Sequence, residues 1–212
     1  MRNNNAFRIS PVWKAQAEGY DWGLRKRQQP VKSEYLLHKM ARANYNTLNN
    51  FPREYARINC SNPEDYVGAT WSVILGTIFP AFEGHYAVEP HARNPGGYTD
   101  FTICDWVGSL RRPFFVVETK KTPRGRRRPG WLSAERQLRQ YLRGWGRTAR
   151  QGQTARAMCY GAIAIGTEVR FYEYSDEKDD IEPMRHQVQP YQVNNDAQTI
   201  IQLLQHIKDN HN

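Results

Sequence analysis

The most informative stretch of this chain is Phe114-Phe115-Val116-Val117-Glu118-Thr119-Lys120. Its aromatic and β-branched residues predict a strand over residues 112–121. Side chains alternate faces along a strand, so Glu118 and Lys120 are expected to project on the same side. Neighbouring strands separate at their ends, where functional sites are often built. We therefore interpret Glu118 and Lys120 as part of a site rather than as an ordinary ion pair on an exposed strand, which would contribute under about 1 kcal/mol.

Asp100 lies in a second segment, residues 98–104, which also has the composition of a strand. The turn-forming residues 94–97 precede it, so we predict a hairpin with a strand over residues 85–89. If the strands that hold Asp100 and Glu118 are neighbours, their carboxylates lie close together. Two carboxylates can hold a hard divalent cation, and the ammonium of Lys120 beside them suits the activation of water against a phosphodiester.

The rest of the pattern predicts the order helix, three strands, helix, two strands, with an extra helix at each end. The added helices span residues 33–45, 62–80, 133–146 and 196 onwards, and the added strands 157–165 and 169–174. Asn62 is the expected cap of the second helix and Ser133 that of the third. Leu132 is expected on the apolar side of the third helix, and Gly144 or Gly146 at its end.

This order indicates an α/β or α+β fold, in which helices flank a mostly central, mixed β-sheet. Residues 1–32 are polar and show no clear periodicity, so we expect a flexible or loosely docked arm. Residues 33–212 are expected to form a single domain, with its core over about residues 60–175.

Positive charge is concentrated in one part of the chain. The net charge is +9, but residues 111–150 hold 13 Lys and Arg against two acids, a net of +11 that leaves −2 for the rest. Such a basic block is typical of a protein that binds a polyanion such as a nucleic acid. The alternative is a solvated face that happens to be rich in Arg.

The composition also bears on where the protein works. Three widely spaced cysteines fit neither a disulfide framework nor a zinc knuckle, which favours a reducing compartment. No apolar stretch reaches the roughly 18 residues of a membrane span, and no signal peptide is expected. We therefore predict an intracellular protein with no membrane partner. The arginines of residues 124–128 serve equally well as a nuclear-localisation patch or as substrate contacts.

Asp100 and the Glu118-Thr119-Lys120 segment, in this order of elements, resemble the PD-(D/E)XK nuclease superfamily, whose members share the restriction-endonuclease-like fold. Members carry the Asp on the second strand of the core and the E-x-K segment at the end of the third. Gln137 and Tyr141 on the following helix are similar to the Q-x-x-x-Y element of RecB-type members. The resemblance covers roughly residues 60–175.

The resemblance implies a metal-dependent nuclease, most plausibly one that hydrolyses DNA. Asp100, Glu118 and the Thr119 carbonyl would hold Mg²⁺ or Mn²⁺, while Lys120 orients or helps to deprotonate a water. Gln137 would position the same water or a backbone oxygen. Glu64 or Asp65 is a candidate further ligand, or else a first-turn acid that the helix dipole favours.

The remaining candidates concern binding. The residues expected to hold nucleic acid are Lys121, Arg124, Arg126, Arg127, Arg128, Arg139 and Tyr141. Glu89 either approaches the site or faces solvent, and Trp131 and Trp145 either stack on bases or, more often at such spacings, belong to the core. The main alternative function is a nuclease-fold protein that binds nucleic acid without cutting it, followed by an interaction scaffold. Cleavage of two strands often needs two sites, which makes a homodimer plausible.

Overall fold

The computed structural model of the protein describes residues 44–59, 61–94, 97–124, 130–150, 159–175 and 177–211. The helices in these parts of the chain are α1 Phe51–Tyr55, α2 Asp65–Ile78, α3 Trp131–Arg150 and α4 Ala197–Asn210. The strands are β1 Tyr86–Pro90, β2 Arg93–Asn94, β3 Gly97–Tyr98, β4 Phe101–Val107, β5 Leu110–Lys120, β6 Tyr160–Ile165, β7 Glu168–Ser175, β8 Asp180–Pro183 and β9 Tyr191–Gln192.

The fold is α+β, built on a mixed central sheet. Strands β1, β4, β5, β6, β7 and β8 lie side by side in that order, and β9 pairs with β7. Strands β5 and β6 are parallel, and the other pairs are antiparallel. A parallel pair needs a crossover connection, which the chain between β5 and β6 supplies with α3. The predicted central sheet flanked by helices is thus confirmed.

Helices pack on both faces of the sheet because the side chains of β5 alternate. Phe115 and Val117 belong to one apolar core together with α2 and α4. Val116 belongs to a second core together with α3. The fully buried β6 takes part in both cores, as its continuous apolar sequence predicts.

Helix α3 approaches the sheet closely where β6 carries a glycine. A Cβ atom at Gly161 would lie 2.6 and 2.7 Å from the two Cδ atoms of Leu138. Real Cβ atoms are not found so close to other heavy atoms, so position 161 requires glycine unless Leu138 moves. Glycine therefore sets the distance between α3 and the sheet at this point.

Helix α2 begins later than the sequence predicts. Glu64 occupies its N-cap position, and no side chain caps the helix there. The predicted cap, Asn62, instead donates its side-chain amide to the Arg57 carbonyl oxygen at 2.6 Å. The predicted cap is therefore wrong, because Asn62 bonds to the preceding loop.

Helix α3 is longer than predicted at both ends. It begins at Trp131, and the Ser133 hydroxyl donates to the Gly130 carbonyl oxygen at 2.8 Å instead of capping the helix. It continues through Gly144 and Gly146, because the buried Trp145 anchors its later turns in the core. Leu132 is 71% exposed and does not join the apolar side.

The predicted hairpin is present, with a different turn. Strand β1 pairs with β4, which begins at Phe101 rather than Tyr98. The residues between them form a separate small ribbon in which β2 pairs with β3. Residues 1–32 and the predicted helix up to residue 43 lie outside the described part of the chain. None of the helices described here is long and apolar enough to cross a membrane.

Candidate active site

The candidate site lies where β4 begins and β5 ends. Phe101 pairs with Val117 in the antiparallel register, so Asp100 and Glu118 come next, where the strands separate. Oδ2 of Asp100 accepts hydrogen bonds from the Thr119 backbone N–H at 2.6 Å and from the Thr119 hydroxyl at 2.9 Å. Asp100 is therefore held against β5 by the residue that follows Glu118.

Glu118 is a buried carboxyl group, with only 1% of its surface exposed. Its Oε2 accepts a hydrogen bond from Lys120 Nζ at 3.2 Å. Its Oε1 is also buried and has no hydrogen-bond partner among the described residues. A buried polar atom without a partner is costly, so this oxygen is suited to a ligand that the protein itself does not supply.

Burial and charge together change the titration of the site. Burial and the charge of Asp100 together raise the pKa of Glu118 to about 7, although Lys120 acts to lower it. Burial alone would lower the pKa of Lys120, but Glu118, Asp100 and Glu64 together raise it. Lys120 is therefore charged at neutral pH, whereas Glu118 is close to half ionised.

Glu64 completes the charged cluster from the start of α2. Its Oε1 lies 3.7 Å from Lys120 Nζ, and its Oε2 accepts a hydrogen bond of 3.4 Å from the Lys121 backbone N–H. Asp65 is exposed, and none of the described contacts joins it to the site. Of the two candidate acids near this helix start, the structure brings Glu64 to the site.

Gln137 and Tyr141 lie beside the β2–β3 ribbon, which comes just before Asp100 in the chain. The Gln137 amide donates to the Tyr141 hydroxyl at 2.7 Å, and that hydroxyl donates to the Tyr98 carbonyl oxygen at 2.6 Å. Burial raises the pKa of Tyr141, and the charges of Glu118 and Asp100 add to this rise. Tyr141 thus lies within electrostatic reach of both acids, and it holds the backbone two residues before Asp100.

A second set of polar contacts around Asp100 was not predicted. The indole N–H of Trp145 donates to Asn94 Oδ1 at 3.0 Å. The amide of Asn94 donates to the hydroxyls of Thr99 and Thr102 at 2.9 and 3.0 Å. Both threonines are buried on either side of Asp100. In the sequence, two threonines near Asp100 indicated these contacts only weakly. Their shared partner, Asn94, can be recognised only from the structure.

The residues expected to bind nucleic acid fall into four groups. Lys121 and Arg124 are exposed beyond the end of β5. Arg139 forms an ion pair with Asp180, so its guanidinium is engaged within the protein. Arg126, Arg127 and Arg128 lie outside the described residues. Tyr141 is buried, with 3% of its surface exposed, so the prediction that it contacts nucleic acid is wrong, because its ring packs in the core.

The structure decides between the alternatives that the sequence left open for Glu89 and for the two tryptophans. Glu89 pairs with Arg111 rather than approaching the site. Trp145 belongs to the core, and the partly buried Trp131 packs against the same core, with the Arg170 guanidinium 4.5 Å from its ring centroid.

The donor set suits a magnesium-type ion better than zinc. In the described parts of the chain, no three His, Cys, Asp or Glu side chains form a metal-binding group by themselves. Mg²⁺, however, is commonly held by one or two carboxylates together with waters. Asp100, Glu118 and the Thr119 carbonyl are hard oxygen donors, and Zn²⁺ sites usually contain nitrogen or sulfur.

Comparisons with models of known families, with curated proteins and with solved structures find no match for this chain. Asp100, Glu118 and Lys120, predicted from the sequence to lie together, do so in the structure.

Proposed function

We propose that this protein is a metal-dependent nuclease with a restriction-endonuclease-like fold, and that it hydrolyses phosphodiester bonds in DNA. The observation that carries the proposal is the buried Glu118, which has Asp100 beside it and the Lys120 ammonium at 3.2 Å. An ion pair with a purely structural role would avoid the cost of burying an acid next to a second acid. Perturbed acids of this kind are concentrated at functional sites.

Asp100 and Glu118 would hold Mg²⁺ or Mn²⁺ together with the Thr119 carbonyl oxygen. A cation held there would acidify the attacking water and offset charge that builds up on the phosphoryl oxygens. The raised pKa of Lys120 keeps its ammonium protonated, so Lys120 donates hydrogen bonds and stabilises negative charge. Glu64, at 3.7 Å, helps to orient that ammonium.

The experiment is a plasmid-nicking assay with Mg²⁺ or Mn²⁺. Lys120→Ala should lower the cleavage rate by roughly 100- to 1,000-fold, the usual range for removal of one donor that stabilises charge in the transition state. Lys178→Ala is the matched control, since Lys178 is an exposed lysine that pairs with Glu182. The control should cleave like the wild type.

The outcome also separates the proposed nuclease from its main alternative. If the wild-type protein binds DNA but cleaves neither DNA nor RNA with either metal, the non-catalytic binding function is correct. Loss of cleavage with retained binding in Lys120→Ala supports catalysis.

Metal binding can be measured without activity. Mn²⁺ should bind the wild type and raise its Tm, because a ligand that binds only the folded state stabilises it. Glu118→Gln and Asp100→Asn should lose most of this effect, whereas Glu182→Gln should keep it. An equal Mn²⁺-induced shift in all four proteins would contradict the proposed ligands.

A further inference from the structure

Tyr98 is an exposed aromatic residue close to the candidate site. Its side chain is 67% exposed, although its main chain lies two residues before Asp100 and its carbonyl oxygen is bonded to Tyr141. Single exposed apolar residues are common on protein surfaces and need no explanation alone. Two further observations distinguish Tyr98 from such residues.

The backbone around Tyr98 is firmly held. The Tyr141 hydroxyl donates to its carbonyl oxygen at 2.6 Å, and the Thr99 N–H donates to the Ala92 carbonyl oxygen at 3.0 Å. Gly97, with φ of 131°, lies beside Tyr141, and an added Cβ would be in ordinary van der Waals contact with that ring, at 3.5 Å. The Tyr98 ring therefore projects from a fixed base, which lowers the entropy lost when a ligand stacks on it.

A cationic residue stands beside this ring. Arg93 is directly opposite Tyr98 in the antiparallel pairing of β2 with β3. Residues opposite each other in such a pair project from the same face of the ribbon. Both side chains are exposed, so the ribbon presents an aromatic ring and a guanidinium on the same face.

We infer that Tyr98 and Arg93 form a subsite for an unpaired nucleotide, with the base stacked on Tyr98 and its phosphate held by Arg93. The inference rests on the proposed nuclease function and names its substrate class as single-stranded nucleic acid, or a duplex with an unpaired end. In an intact duplex each base is covered by its neighbours, so an aromatic side chain cannot reach its face. An unpaired base offers that face to the tyrosine, whatever its sequence.

The test is the binding of a short single-stranded oligonucleotide and of the matching duplex, measured by fluorescence polarisation in EDTA so that no cleavage occurs. Tyr98→Ala should weaken single-strand binding by roughly 5- to 100-fold, the range for loss of one stacked base. Duplex binding should change by less than about twofold, because only phosphate contacts remain there. Tyr98→Phe should bind the single strand like the wild type, since stacking needs the ring and not the hydroxyl.

Phe82→Ala provides the matched control. Phe82 is 79% exposed, and it lies in the turn after the C-terminal end of α2, whereas Glu64 marks the opposite end of that helix. This variant should bind both oligonucleotides like the wild type. Arg93→Gln should reduce the salt dependence of single-strand binding by about 0.7 in the log–log slope, the value for a single phosphate neutralised on a single strand.

Failure of this inference can be told apart from failure of the nuclease proposal. If Tyr98→Ala binds the single strand like the wild type, or loses single strand and duplex equally, the stacking subsite is wrong even where the protein cleaves DNA. Absence of single-strand binding by the wild type also overturns it. If single-strand binding depends on Tyr98 but no metal supports cleavage, the subsite stands and the catalytic proposal falls.

Discussion

Glu118 combines two properties that are unfavourable for folding, namely burial of an acid and proximity to another carboxylate. Both favour its protonated form, which is why its pKa rises to about 7 from an ordinary value of 4.5. The folded protein therefore binds a proton more tightly than the unfolded chain does. The stability that this proton contributes is fully present below about pH 4.5 and is lost as the pH rises through about 7.

The first prediction concerns this pH dependence. We compare the free energy of unfolding of the wild type with that of Glu118→Gln, without metal. Between about pH 4.5 and pH 7.5 the wild-type value should fall relative to that of the variant by on the order of 3 kcal/mol, because a shift of one pKa unit corresponds to about 1.36 kcal/mol. Urea unfolding in EDTA at several pH values measures the difference. Glu182→Gln, which changes an acid in a surface pair with Lys178, should run parallel to the wild type. Parallel curves for wild type and Glu118→Gln would show that Glu118 titrates normally.

Much of the candidate site could be predicted at this scale, because its residues are close in sequence. Alternation along one strand is enough to put Glu118 and Lys120 on one side, and pairing of two neighbouring strands is enough to bring Asp100 beside them. The contact of Glu64 with Lys121 spans 57 positions, so it depends on how α2 packs on the sheet. Local patterns contain no information on that packing.

At the scale of elements, α3 holds the chain that leads to Asp100 through Tyr141. Tyr141→Phe removes the hydroxyl that bonds the Tyr98 carbonyl oxygen and the Gln137 amide. We expect a loss of about 1–2 kcal/mol, because two partly buried polar groups lose their partner. Hydrogen exchange at the Thr99 amide should become faster than the global loss alone explains.

Tyr172→Phe is the matched control for this second prediction. Tyr172 is also buried, and its hydroxyl donates to Glu135 on the same helix at 2.7 Å. This variant should lose comparable stability without a local increase in exchange at Thr99. If both variants increase the rate of hydrogen exchange at Thr99 equally, Tyr141 has no special role in positioning the β2–β3 ribbon.

The close approach of α3 to β6 gives a third prediction, in which similar substitutions act in opposite directions. Gly161→Ala should destabilise the protein by about 1–3 kcal/mol, because the new methyl group overlaps Leu138 in a packed core. Gly76→Ala should stabilise it by about 0.5–1 kcal/mol, because position 76 is an exposed site in α2 with open space around it. Thermal unfolding of both variants measures these changes.

A double variant tests the cause. Gly161→Ala combined with Leu138→Ala should be more stable than the sum of the two single losses predicts, because the removed Leu138 atoms make room for the methyl group. Additive losses would place the cost in the β6 backbone instead.

The elements themselves were largely predictable, while their ends were not. The apolar periodicity of α2 and the continuous apolar run of β6 identify both elements. The ends of α3 differ from prediction because Trp145 carries the helix past Gly144 by packing into the core. Tertiary packing of this kind overrides local helix signals.

At the scale of the whole molecule, the basic block is less available than its sequence indicates. Several of its cations are held in ion pairs within the protein: Lys120 with Glu118, Arg111 with Glu89, Arg112 with Asp105, Arg139 with Asp180 and Arg143 with Asp179. The partners of Arg111, Arg139 and Arg143 lie 22 to 41 positions away along the chain, so no count along the sequence could reveal these pairs. The net charge of residues 111–150 therefore overstates the number of cations that can contact phosphates.

This pairing makes the fourth prediction. Lys121→Gln should reduce the salt dependence of duplex binding by about 0.9 in the log–log slope, the value for a single phosphate neutralised on B-DNA. Arg139→Gln should change the slope much less, because its guanidinium is engaged by Asp180. Gel-shift titrations over a range of salt concentrations measure both slopes. Equal slope changes would mean that Arg139 leaves its partner when DNA binds.

The location of Asp100, Glu118 and Lys120 within a single hairpin also bears on how the chain folds. Strands β4 and β5 are consecutive, so their pairing closes a short loop and can form early, before distant segments arrive. The carboxylates of Asp100 and Glu118 then approach each other early in folding, when β4 and β5 pair. Repulsion between these charges should slow that step, so refolding should become faster at mildly acidic pH or with added Mn²⁺. Stopped-flow kinetics of the wild type and of Glu118→Gln measure this effect.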